Sequence, residues 1–157
     1  MNAISPDAIR AETITITGHG GDEIEAYLAT PLADGSRGAI VWIHHMPGYD
    51  RETKEFARRL AVNGYRVVAP NLYSRDAPGA SPDDAAAAAG AAGGVPDERL
   101  VGDVAGAVAM KPILHLAQTP AARGSDTLVA AGPTGRAAGA PRVIAANQIA
   151  ANRGASR

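Results

Sequence analysis

The sequence predicts an α/β fold, and three observations carry that reading. Glu12-Thr-Ile-Thr-Ile-Thr-Gly18 alternates Ile14 and Ile16 with threonines, the two-residue period of a half-buried strand. Gly38-Ala-Ile-Val-Trp-Ile43 and Tyr65-Arg-Val-Val-Ala69 are short apolar runs, as expected of strands covered on both faces. Between them, residues 51–63 carry apolar side chains at helical spacing. Strand, helix and strand within about thirty residues make a βαβ unit, with parallel strands and a right-handed crossover.

Each element follows from its residues. Gly18-His19-Gly20-Gly21-Asp22 is a turn cluster, and Glu23 to Thr30 reads as a second strand, so residues 12–30 form a β-hairpin. Pro31 to Gly38 is a polar loop. In the helix, Phe56, Leu60, Ala57 and Ala61 share one side, while Arg51, Glu52, Lys54, Glu55, Arg58 and Arg59 lie largely outside. Asn63-Gly64 supplies its stop. Ser81-Pro-Asp-Asp84 opens an alanine-rich helix that ends at Gly90, and residues 91–94 are a linker. Pro96-Asp97-Glu98 opens a third helix, with Leu100, Val101, Val104, Ala105 and Val108 expected on its inner face.

After Lys111 the periodic signals fade into short apolar patches separated by Gly and Pro. Charge divides at the same place. Residues 1–110 hold 15 acids and 9 bases, whereas residues 111–157 hold Asp126 alone against six bases. Every aromatic residue lies within the first 73 positions. Residues 1–110 are therefore expected to form the organised part and 111–157 an atypical Ala/Gly/Pro/Arg-rich tail, poorly packed or frame-shifted.

Composition excludes several classes. The formal net charge of −1 argues against a nucleic-acid binder. No apolar run approaches the roughly 20 residues of a membrane span, and the first residues lack a signal peptide's basic start and apolar core. The absence of cysteine excludes a disulfide scaffold, a thiolate metal site and a cysteine nucleophile. A cytoplasmic domain is expected, without cofactor, metal, nucleic-acid or membrane partner. His44 and His45 are adjacent, so on a strand they face opposite ways and do not chelate one ion together. His19-Gly20-Gly21 is similar to an oxyanion motif of lipases, but it falls in the hairpin turn and reads as turn chemistry.

Ala39-Ile-Val-Trp-Ile-His44-His45-Met46-Pro47-Gly48, the helix with Phe56-Ala-Arg-Arg-Leu-Ala61, and Gly64-Tyr65 through Pro70-Asn-Leu-Tyr73-Ser-Arg75-Asp-Ala-Pro78-Gly79 together resemble the dienelactone hydrolase family. The resemblance covers about residues 12–110 and implies an incomplete α/β-hydrolase-like sheet, hairpin plus parallel βαβ unit, acting on ester or lactone bonds. It implies that the loop after the first parallel strand supplies the backbone N–H of Met46 to an oxyanion hole. It places His45 where well-known members carry a glutamate that helps activate the nucleophile, a departure that leaves that role open. It places Arg75 as the anchor of a substrate carboxylate, a task suited to a bidentate guanidinium.

The pattern then breaks. The family's Gly-x-Cys/Ser-x-Gly elbow has no counterpart: neither Ser36 nor Ser125 is flanked by glycines at both places, and His115 precedes Asp126, the reverse of the family order. No nucleophile is assigned. Three readings stand: a family hydrolase represented by its first part, a catalytically silent fragment, or a small-carboxylate-binding domain that keeps His45 and Arg75. Self-association through an uncovered sheet edge is a further expectation.

Overall fold

A computed structural model describes residues 8–34, 36–45 and 48–110. Met46 and the whole 111–157 segment, including His115, Ser125 and Asp126, lie outside the described residues. Strands β1 (Ile9–Thr17), β2 (Glu23–Pro31), β3 (Gly38–Val41) and β4 (Tyr65–Pro70) form one sheet in the order β1-β2-β4-β3. β1 and β2 are an antiparallel hairpin with Ile16 opposite Ile24, and β2 runs antiparallel to β4 with Leu28 opposite Val68. β3 and β4 are parallel, Ile40 opposite Val67, as the βαβ pattern predicts. β1 begins three residues earlier than its alternation suggested. β3 ends at Val41 rather than Ile43, although the Trp42 N–H still donates to the Val68 carbonyl.

Helix α1 (Arg51–Val62) covers one face of the sheet and α3 (Asp97–Ala109) the other; α2 (Pro82–Ala91) lies between them in the chain. On the α3 side, Ile16, Ile24, Leu28, Val41 and Val68 pack with Ala107. On the α1 side, Tyr27, Ala29, Val67 and Ala69 pack with Ala57 and Ala61. Asp50 caps α1, its Oδ1 accepting the Thr53 N–H at 2.7 Å, and Ser81 Oγ accepts the Asp84 N–H to cap α2.

Two inner faces differ from expectation. Thr53, Ala57 and Ala61, four apart, are the buried line of α1, so Phe56 sits on its flank, 45% exposed and stacked on Trp42 with ring centroids 5.2 Å apart. Small residues bring the helix axis close to the sheet and push the large ring to the margin. In α3 the fully buried positions are Asp103 and Ala107, while Val101 is 64% exposed. Gly106 explains the rotation: a Cβ there would lie 1.9 Å from the Thr17 carbonyl oxygen, and one at Gly102 would meet the His19 ring at 2.5 Å. The glycine face of α3 presses on the hairpin turn, and Val104 and Val108 reach the core from its side.

Candidate functional site

Parallel strands β3 and β4 release their chains at the same edge of the sheet, the edge where open α/β sheets place their sites. Residues 42–50 follow β3 and residues 71–80 follow β4. His44 joins the two loops. It is 5% exposed; its Nε2 accepts the backbone N–H of Leu72 at 3.1 Å, and its Nδ1 lies 3.3 Å from the carbonyl oxygen of His45. The Tyr73 ring meets the imidazole edge-on at 4.9 Å. Burial, outweighing the bond to the His45 carbonyl and the attraction of Asp50, lowers the His44 pKa below its ordinary 6.5. Gly48, at φ +124, has the left-handed backbone that glycine tolerates, and a Cβ there would strike the Tyr73 ring at 2.6 Å.

His45 is exposed. Its ring, Asp50 and Glu52 place one potential ligand atom each within 4.8 Å of one another. Asp50 Oδ1 is already committed to the α1 cap, and the positive end of that helix disfavours a cation. The group reads as an acidic first turn beside a histidine. No hydrogen bond or ion pair joins His45 to Arg75 among the described residues.

Arg75 lies in a different cluster. Its Nη1 and Nη2 donate to the two carboxylate oxygens of Asp103 at 2.7 and 2.8 Å, its Nε to Asp22 at 2.8 Å, and Nη2 also to the His19 carbonyl at 3.2 Å. Asp103 is fully buried and also accepts the His19 N–H at 2.8 Å. Burial pushes the Asp103 carboxyl up, but the Arg75 bonds, the His19 N–H and the charges of Arg75 and Arg99 outweigh it and hold the group below its ordinary 3.8. Gly18 makes room for the cluster, since a Cβ there would lie 2.4 Å from Asp103 Oδ1. The next residue repeats the arrangement with charges exchanged: Asp76 accepts both terminal nitrogens of Arg99, the longer bond 3.0 Å. Arg75 also lines a cleft of about 570 Å³ with Glu23, Glu25, Asn71 and Ser74.

Sequence reasoning singled out His45 and Arg75; the structure puts His44 at the junction of the loops and Arg75 in a charge cluster that reasoning missed. The available signal was the pairing of Arg75-Asp76 with Arg99 and Asp103, opposite charges one helical turn apart. The His19-Gly20-Gly21 segment is a 3-10 turn with Gly20 and Gly21 at positive φ. Among the described residues, no serine hydroxyl bonds a histidine ring: Ser36 bonds the Gly38 and Gly64 carbonyls and Ser81 bonds Asp84.

A helix-covered sheet with its loops gathered at the carboxyl edge of a parallel pair defines the open α/β class. Comparison with known proteins narrows it. The profile of the dienelactone hydrolase family matches residues 24–123, and the chain belongs to that family. A Salmonella typhi protein named "Putative carboxymethylenebutenolidase" is 31% identical over 102 residues, which cover 64% of this chain and 38% of the relative. A protein of the same name from Escherichia coli K12 is 32% identical over 100 residues, 62% of this chain and 36% of its own length. The chain thus spans well under half of these relatives. The crystal structure named "Putative Dienelactone Hydrolase" from Klebsiella pneumoniae superposes with a TM-score of 0.55 at 26% identity, covering 75% of this chain and 45% of that one.

Proposed function

We propose that the chain takes part in hydrolysis of a small ester or lactone, with the carboxyl edge of β3 and β4 as the reacting side. The observation that supports this most is family membership over residues 24–123, combined with the meeting of loops 42–50 and 71–80 at that edge. The backbone N–H of Met46 is the proposed oxyanion donor, a contribution of about 3 kcal/mol to the transition state in such sites. His45, exposed at the rim, is the proposed proton-transfer group in the place of the family glutamate. Arg75 is proposed to hold a substrate carboxylate. Four of its five N–H groups are committed to Asp22, Asp103 and His19, so it offers one Nη1 hydrogen rather than a bidentate fork. The chemistry needs no cofactor. A cytoplasmic location is part of the proposal. No helix among the described residues is long and apolar enough to cross a membrane.

A silent, carboxylate-binding chain is the second reading, favoured by the absence of a serine–histidine pair among the described residues. Hydrolysis of an aryl acetate by the full chain separates the two. Turnover well above the buffer rate, reduced about a hundredfold by His45→Ala, is the expected result. A rate equal to buffer, with calorimetric binding of small carboxylates lost in Arg75→Ala, would establish the second reading instead.

A further inference from the structure

We propose that a cavity between the β1–β2 hairpin, the first turn of α1 and the start of α2 binds a neutral polyhydroxylated ligand the size of a sugar ring. Glu25, Tyr49, Lys54 and Asn71 are the residues that meet it. The proposal concerns binding alone and stands apart from the hydrolysis reading.

The period of a strand creates the space. Glu23, Glu25, Tyr27 and Ala29 alternate onto one face of β2. Helix α1 covers the last two of these, packing Ala57 and Ala61 on Tyr27 and Ala29. Glu25 lies beyond its start and is left uncovered. The loop after β4 crosses there, tied down by the Asn71 N–H, which donates to the Glu25 carbonyl at 2.8 Å. The first turn of α2 makes the far wall with Pro82 and Ala85. Alanines form the buried line of that helix, so no large side chain fills the gap. The cavity measures about 240 Å³ and adjoins the 570 Å³ cleft, with which it shares Glu25, Asn71 and Gly79.

Two hydroxyls along these clefts are buried without a partner in the protein. Tyr49 is 7% exposed and lines the smaller one; Glu25 and Thr13 stand beside its hydroxyl, yet neither completes a hydrogen bond of good geometry. Burial, reinforced by the charge of Glu25, pushes the phenol up, so it keeps its proton and is a donor. Ser74 Oγ, in the larger cleft, is the other. Native proteins seldom leave such groups unmatched, so an orphan hydroxyl on a cavity wall marks a place where a polar ligand gains a bond at no cost to another. Asn71 adds a donor of fixed direction. Its Oδ1 accepts the Tyr73 N–H at 3.2 Å, which turns the NH₂ group outward to a ligand.

Charge decides what kind of ligand fits. Glu25 and Lys54 both line the smaller cavity, and neither belongs to an ion pair among the described residues. Lys54 Nζ rests over the Tyr49 ring, 4.2 Å from its centroid. An anion entering this space meets Glu25, and a cation meets Lys54, each at short range. A neutral ligand meets neither penalty. Hydroxyl groups suit the walls because each donates and accepts: one donates to Glu25 while accepting from Tyr49, and its neighbour accepts from Lys54 or Asn71.

Proton–nitrogen NMR of the full 157-residue chain, titrated with D-glucose, D-xylose or myo-inositol, tests this. At least one of the three should give saturable shifts centred on the amides of Tyr49, Asn71 and Ser74. Tyr49→Phe keeps the ring and removes only the hydroxyl, and should weaken binding about fivefold. Glu25→Gln should weaken it about tenfold. Asn71→Asp preserves the acceptor for the Tyr73 N–H but loses the donor, and should also cost about tenfold. Glu98→Gln, on α3, should change nothing. Native spectra away from the cavity show that each variant is folded. No saturable shift with any of the three polyols, or affinity unchanged in Tyr49→Phe and Glu25→Gln, would overturn the proposal. Equal binding of tetrahydropyran, the ring without hydroxyls, would do the same. Tighter binding of acetate, methylammonium or glycine at these residues would overturn the choice of a neutral ligand.

Discussion

Asp103 is a buried anion whose partners are an arginine fork and one backbone N–H, and its environment decides how it affects stability. Its partner Arg75 has only 17% of its side chain exposed, so removing the carboxylate strands a largely desolvated cation. Asp103→Ala should destabilise the fold by about 3 kcal/mol or more. Asp22, on the other side of the same guanidinium, is 59% exposed, and Asp22→Ala should cost less than about 0.5 kcal/mol. Urea unfolding followed by the fluorescence of Trp42, the sole tryptophan, measures both; equal losses would show that burial does not set the difference. The sign of the pH effect follows from the lowered pKa. The unfolded carboxyl takes up its proton first as pH falls, so the Asp103 contribution is present above its ordinary 3.8 and lost as pH drops through the folded value. Asp103→Ala should therefore flatten stability against pH below about 4, where the parent chain still declines.

At the scale of elements, α3 is held by close glycine contacts as well as by Val104, Ala107 and Val108 in the core. Gly106 rides on the Thr17 carbonyl and Gly102 on the His19 ring. Gly106→Ala meets backbone rather than a movable side chain, so α3 must shift; a loss of about 2–3 kcal/mol is expected despite alanine's better helix propensity. Gly90→Ala in α2 has no atom within 4 Å of the added Cβ and should be neutral or slightly stabilising. Thermal unfolding of the two variants checks the contrast, and similar melting temperatures would refute it. This is also where reading the sequence stopped. The hairpin and the parallel pair were legible because Ile14, Ile16, Ile40, Val67 and Val68 announce buried strands by period and by run. The inner face of α3 was legible only in part: Val104 and Val108 do reach the core, but an aspartate and two glycines mark its most buried line, and the hydrophobic pattern also points to Val101, which is exposed. The loops behaved alike. His45 drew attention by its place in the family pattern, whereas the residue buried between the loops is His44. Alternation along a strand says that the two rings diverge but not which of them turns inward.

For the whole molecule, the two edges of the sheet differ. β1 closes one side with exposed Arg10 and Glu12, charges that discourage pairing with another strand. β3 closes the other with Ala39 and Val41, 4% and 0% exposed, and no strand pairs beyond it among the described residues. We expect copies of the chain to associate through this edge, with the weight-average mass rising with concentration in sedimentation velocity. A monomer over a hundredfold range of concentration would contradict that expectation.

The two consecutive ion pairs that join the 71–80 loop to α3 also determine which way the helix runs. Arg75 and Asp76 are neighbours in the chain, and Asp103 and Arg99, which they meet, stand one turn apart. A helix laid down end for end would set Arg99 against Arg75 and Asp103 against Asp76, repelling at both places. Val104 and Val108 would pack in either direction, since apolar contact has no polarity. The four charged side chains thus favour one vector of α3 along the sheet, a direction that the apolar contacts of Val104 and Val108 do not specify by themselves.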